Sequence, residues 1–170
     1  MKLLNDWGFS LQSLKTGERG EFWVALQGLL FLAVVLLPIY RLPGTALTPP
    51  WLYVAWGIGG AIALFALVLM GKGLLDLGQS LTPLPYPRED GTLVQSGVYS
   101  IVRHPIYSGV ILATLGYAIA QQSLSHFAFA ILFLLFFNAK SAREEAWLTE
   151  KYPDYPQYQQ RVKKLLPWIF

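Results

Sequence analysis

Two apolar stretches, Phe22 to Tyr40 and Trp51 to Met70, carry no charge and reach the roughly 20 residues a helix needs to cross a bilayer core. They predict membrane spans over 22–40 and 51–70. Between them, R-L-P-G-T-A-L-T-P-P at 41–50 holds three prolines and a glycine, which cannot continue a helix and predict a tight connection. A third apolar region, Ile106 to Asn138, is too long for one span and is interrupted by Q-Q-S-L-S-H at 121–126. It predicts two shorter spans, 105–121 and 124–140, in preference to one long kinked helix or a re-entrant pair. Leu3, Trp7, Leu11 and Leu14 recur at helical spacing, so residues 1–21 are expected to lie flat on the membrane surface. Polar residues follow Lys2 too soon for a cleavable leader to be expected. In the tail, 141–170, the positions Tyr155, Tyr158, Val162 and Leu165 or Leu166 predict a basic amphipathic helix at headgroup level.

The charges orient these spans. With four of them, the N-terminal segment, the 71–104 connection and the tail share one side and hold twelve of the thirteen Lys and Arg residues, leaving Arg41 on the other. Basic residues gather on the cytoplasmic side, which places both termini and the long connection there. At 54% hydrophobic and 14% charged residues, the 170-residue chain reads as a single all-α integral membrane domain of about four transmembrane helices. It holds no cysteine, which excludes thiolate chemistry, Cys-ligated metals and S-lipidation. A net charge of +3 interrupted by apolar runs does not indicate nucleic-acid binding.

Chemically versatile residues concentrate in two cytoplasmic places. The first is G-V-Y-S-I-V-R-H-P-I-Y-S-G at 97–109, where Pro105 marks a helix start. Arg103 and His104 flank that start, and a guanidinium beside free helix N–H groups suits a carboxylate. Tyr107 follows one turn inside, and Gly109 leaves room for a ligand or a neighbouring helix. The second is K-S-A-R-E-E-A-W-L at 140–148, where paired acids leave the bilayer on its basic side. Adjacent helical residues point about 100° apart, so one of Glu144 and Glu145 is expected to face the bundle and the other to pair with Arg143 or Lys140. A basic helix start and an acidic helix end on one membrane face could grip a zwitterion such as the amino-acid moiety of S-adenosylmethionine, or a phospholipid headgroup.

R-H-P-I-Y-S-G at 103–109 and R-E-E-A-W-L at 143–148, followed by Tyr152, Tyr155, Tyr158, Val162 and Pro167, resemble the signature of the isoprenylcysteine carboxyl methyltransferase family and the related phospholipid methyltransferases. The resemblance covers about residues 74–167, with Leu77-Gly78 and L-V-Q-S-G-V-Y at 93–99 also fitting. Val98 departs from a common proline, and K-Y-P-D at 151–154 replaces the family's Phe-Gly turn. The resemblance implies a cytoplasmic pocket closed by the C-terminal interfacial helix, enclosing S-adenosylmethionine, with a lipophilic or prenylated acceptor entering from the bilayer. Carried over by position, it implicates Arg103, His104, Pro105, Tyr107, Gly109, Glu144, Glu145 and Tyr158 in cofactor binding and His104, Arg103 and Glu145 in catalysis, with no metal. A carboxylate acceptor needs no base near pH 7; an amine or phenol would call on His104 or a glutamate. Two other readings are an NADPH-dependent reductase of the sterol-reductase type and a haem-binding or non-catalytic membrane protein. For the reductase, the paired glutamates disfavour a phosphate-bearing cofactor. Against haem, the span count sets His104 and His126 on opposite membrane faces. The stiff run T-P-L-P-Y-P at 82–87 is expected to form a wall or lid.

Overall fold

A computed structural model describes residues 16–170. Helix α1 spans Glu21–Leu36, α2 Trp51–Leu77, α3 Pro105–Gln121, α4 Leu124–Lys151 and α5 Tyr155–Arg161. Two 3-10 turns, Gly78–Ser80 and Gly97–Ser100, lie in the α2–α3 connection, and there is no strand among the described residues, only an isolated bridge between Val102 and Lys163. Segment 1–21, expected at the membrane surface, falls largely outside the described residues.

Helix ends differ from the hydropathy pattern where local chemistry outweighs it. The predicted span 22–40 is helical only to Leu36, because Pro38 lacks an N–H and disfavours helix at the residue before it. By contrast, α2 runs past Met70 to Leu77 and ends where Gly78 turns to a positive φ of 50°; Lys72 and Asp76 pair one turn apart within it at 3.5 Å. The break in the third apolar region falls at Gln122, which is left-handed (φ 52°), and at Ser123, whose hydroxyl caps α4 by accepting from the His126 N–H. Beyond position 140, α4 continues unbroken through the strong helix formers of A-R-E-E-A-W-L and stops before Pro153.

The helices lie in the order α2, α3, α4, α1, with α2 packed on α3, α3 on α4 and α1 on α4. The α2–α3 seam is close because small residues meet across it. A Cβ placed on Gly116 would fall 2.6 Å from the Gly59 carbonyl oxygen and 3.0 Å from the Ala63 nitrogen. Of the small residues in α2, Gly59 and Ala63 thus serve this seam, whereas Gly57 and Gly60 face open space. Backbone cannot give way as a flexible side chain does, so Gly116→Val is expected to destabilise the protein by about 1–3 kcal/mol. Thermal unfolding in detergent checks this against Gly60→Val; equal midpoints for the two variants would show that the seam is loose. On the other side, α1 meets α4 through aromatic edges: Phe31 on Phe133 and Trp23 on Phe136, each at 5.7 Å between ring centroids.

Outward faces of α1 and α2 stay apolar. Leu29, Val35 and Leu36 on α1 and Leu64 and Leu67 on α2 are all more than half exposed, an apolar surface too extensive for water. Together with α2 and α4, which are long and apolar enough to cross a bilayer, these faces identify a membrane protein. At one end of the bundle the 37–50 connection is stitched to the α3–α4 turn. The Arg41 guanidinium donates to the Gln121 carbonyl at 2.8 Å, the Leu124 N–H donates to the Tyr40 carbonyl at 2.8 Å, and the Ser125 hydroxyl donates to the Pro38 carbonyl at 2.6 Å. The opposite end holds nearly all the chemistry.

Candidate active site

The connection after α2 is folded so that it delivers Arg103 and His104 to the start of α3. Asp76 accepts the Val98 N–H at 2.9 Å, and Gly97, at φ +61°, lies against that carboxylate with no room for a Cβ, so glycine is required on both counts. Tyr99 donates to the Gly73 carbonyl at 3.3 Å and itself accepts, through its carbonyl, the Tyr158 hydroxyl at 2.6 Å. The tail then closes back on the helix start: the Arg103 and His104 N–H groups donate to the Lys163 and Lys164 carbonyls at 2.8 and 3.1 Å. Pro105, in the first turn of α3, has no N–H to leave unpaired.

Glu145 ties these pieces together. Its Oε1 accepts from the Arg103 Nε at 2.8 Å and from the His104 Nε2 at 3.0 Å, and its Oε2 accepts from the Gln159 side chain at 3.1 Å. Arg103 also donates to the Gln159 and Val162 carbonyls. One buried carboxylate therefore joins α4, the start of α3 and the tail helix, with every contact charge-assisted or satisfied. Side-chain exposure of the Arg103–Glu145 pair is only 10% and 9%.

Glu144 points elsewhere. Its Oε2 accepts the Tyr107 hydroxyl at 2.8 Å and lies 3.8 Å from the His104 Nδ1. The Tyr107 ring stacks with both His104 and Phe137, at 5.4 and 4.6 Å between centroids. Glu144 faces a cavity of about 340 Å³ bordered by all four long helices: Gln27 of α1, Leu74 and Leu77 of α2, Pro105 and Tyr107 of α3, Lys140 and Glu144 of α4. Leu81 and residues 82–85 of the proline run form one wall, and Tyr99, Tyr152, Tyr155 and Tyr158 form another. This volume is in the range of small-molecule sites. Burial pushes the Tyr155 and Tyr158 phenols up, so both meet the cavity as neutral rings.

The structure brings together seven of the eight residues singled out in the sequence. Arg103, His104, Pro105, Tyr107, Glu144 and Tyr158 border the cavity, and Glu145 stands behind it, holding Arg103 and His104. Gly109 is apart: its open face is taken up by Met70 and the Ala66 carbonyl of α2, so it admits a helix. Glu145 faces the bundle as expected of one glutamate. The other, Glu144, pairs with Tyr107 and not with Arg143, whose guanidinium instead covers the Trp147 ring at 4.3 Å. Nor does the tail present its periodic aromatic face to headgroups, since Tyr155, Tyr158 and Val162 are buried against the protein itself. His126 sits at the α3–α4 turn, bonded to Ser123 at 2.7 Å, a helix length of about 25 Å from His104. Gln27, Asp76, Tyr99 and Gln159 were not legible as site residues, because each acts across long separations. Only the placement of Tyr99 within the 93–99 motif gave a signal.

A family model described as phospholipid methyltransferase matches residues 54–155. Protein-S-isoprenylcysteine O-methyltransferase of Schizosaccharomyces pombe is 33% identical over 108 residues, 59% of this chain and 44% of that protein. Cobalt-zinc-cadmium resistance protein CzcN of Cupriavidus metallidurans is 32% identical over 106 residues, 61% of this chain and 49% of that protein. Methanethiol S-methyltransferase 1 of Bradyrhizobium diazoefficiens is 39% identical over 72 residues, 42% of this chain and 25% of that protein. The chain spans about half the length, or less, of these relatives. The matched stretch runs from α2 to the start of α5 and includes both motifs that build the cavity, and on this ground the chain belongs to the phospholipid methyltransferase family.

Proposed function

We propose that this protein is an integral membrane methyltransferase that moves a methyl group from S-adenosylmethionine to a lipophilic acceptor carrying a carboxylate, as in a prenylcysteine, or another headgroup nucleophile. The observation that carries this reading is the tyrosine-walled cavity into which Glu144 projects at the junction of the α3 start, the α4 end and the tail helix. In this reading α1 to α4 all cross the membrane, 1–170 forms one membrane domain, and the termini and cavity are cytoplasmic.

The donor set suits a zwitterion bearing a sulfonium. Glu144 would take the ammonium, the Arg103 Nη2, which neither Glu145 nor the tail carbonyls engage, would take the carboxylate at the α3 start, and tyrosine faces would border the positive sulfur. When bound, S-adenosylmethionine supplies an electrophilic methyl whose bonding electrons stay with sulfur on transfer. The chain's residues then orient the partners and exclude water. His104 is 6% exposed and its Nε2 donates to Glu145, so it orients the site, which suits an acceptor already ionised near pH 7. A nicotinamide dinucleotide with its phosphates fits less well. Of the described basic residues bordering the cavity, Arg88, Arg103 and His104 are each met by a carboxylate, Asp90 at 2.9 Å and Glu145 at 2.8 and 3.0 Å, and Lys140 alone is not, which leaves one cation for several phosphates.

Ligand-dependent thermal unfolding of detergent-solubilised protein tests the reading. S-Adenosylmethionine and S-adenosylhomocysteine at 100 times their dissociation constants are each expected to stabilise by roughly 2.7 kcal/mol, with no response to NADPH. Stabilisation by NADPH alone would reject the proposal. Labelling of cysteines introduced at Ser10 and Ser125 checks the orientation separately, and equal accessibility from one side would contradict four spans.

A further inference from the structure

Lys140 is the charge that the donor site leaves unused. It lies on α4 four residues before Glu144, about 6 Å deeper into the bundle, and is 1% exposed. A lysine at this position on a lipid-facing surface would extend its stem toward the headgroups; this one turns inward to the cavity wall. There its ammonium donates to the Gln27 side-chain oxygen at 2.6 Å and to the Pro83 carbonyl at 3.4 Å, and lies 5.0 Å from the centroid of the Tyr107 ring. All three partners are neutral. Among the described residues no carboxylate comes within 4.0 Å of it, and Glu144 is engaged by Tyr107. The Glu144 charge acts on it only from a distance, and a buried cation whose direct partners are all neutral is costly to maintain and is relieved by an anion in contact with it.

Its location indicates which anion. Gln27 is on α1, six residues in from the helix start, and α1 packs on α4 without forming a packed seam with α2 among the described residues. Lys140 therefore marks the deep, bilayer-side end of the cavity, while Glu144, Arg103 and Tyr158 mark its tail-side end. We propose that Lys140, positioned by Gln27, binds the anionic headgroup of the acceptor and selects amphiphiles bearing a carboxylate or a phosphate over neutral or cationic ones. Calling that amphiphile the acceptor rests on the proposed function; the anion preference itself does not.

The test uses the full-length protein in a neutral detergent, titrated with dodecanoate, dodecyl phosphate, methyl dodecanoate and dodecyltrimethylammonium while thermal unfolding is followed. At least one of the two anions is expected to act at a concentration tenfold or more below that of the ester or the cation, and which anion does so distinguishes carboxylate from phosphate. Lys140→Met is expected to abolish the preference, with Lys140→Gln as the substitute if the methionine variant does not fold, and Lys140→Arg is expected to keep it. Equal responses to all four amphiphiles, or an anion preference that survives loss of the ammonium, overturns the proposal. So does loss of S-adenosylmethionine binding in Lys140→Met with amphiphile selectivity intact, since that would put the donor's carboxylate on Lys140. Donor binding to the wild-type protein is measured alongside: its absence rejects the methyltransferase reading and leaves the anion site standing.

Discussion

Glu145→Ala is expected to destabilise the protein by about 3–5 kcal/mol, the usual penalty for stranding one member of a buried ion pair. The reason lies in what remains behind. Arg103 is only 10% exposed and would keep two carbonyl partners, Gln159 and Val162, but no counter-charge. His104 and Gln159 would each lose a hydrogen bond as well. Because the same carboxylate joins α4 to the α3 start and the tail helix, the tail is expected to loosen first and the cavity to open with it. Denaturation of the variant in detergent, with limited proteolysis at the tail, measures both. Glu145→Gln retains the shape and is expected to lose less. A tail as protected as in the wild type would show that the bridge between Val102 and Lys163 and the packing of Tyr155 and Leu165 hold the closure without the charge.

The neighbouring glutamate separates binding from folding. Glu144→Ala removes a carboxylate that borders the cavity and gives up one hydrogen bond, from Tyr107. Its effect on stability is therefore expected to stay near 1 kcal/mol. Donor affinity, by contrast, is expected to fall by about 2 kcal/mol or more, roughly 30-fold, because a cationic group on the ligand would lose its partner in a partly desolvated site. Calorimetric titration of S-adenosylmethionine into the wild type and Glu144→Ala checks this. An unchanged affinity would remove Glu144 from the proposed binding role. The pair of variants is more informative than either alone, since a generic disruption of the α4 end would move stability and affinity together.

Why two adjacent acids differ so much is a matter of tertiary surroundings. Helical geometry requires their side chains to diverge by about 100°, and the sequence supports that much. Which one turns inward, and what it meets, depends on Arg103, 42 residues earlier, and on Gln159 in the tail. The same holds for Lys140, which in sequence reads as a partner for a nearby glutamate one turn away. In the fold it meets Gln27, 113 residues earlier, because α1 closes against α4 there. Gly109 shows the converse: its spacing permits either a ligand or a helix, and only the position of α2 decides that a helix takes the space.

Local pattern alone determined the helical class, the four long apolar helices, the breaks near Pro38 and Gln122, and the two motifs at 103–109 and 143–148. These features arise from interactions within a few residues: apolar run length, proline geometry and helix capping. Tertiary structure decided that the aromatic face of the tail packs inward, that Glu145 braces the site while Glu144 borders it, and that the direct partners of the buried Lys140 are neutral. Those outcomes depend on which surfaces meet across tens of residues, where burying a charge favours whichever arrangement supplies it with the best partners.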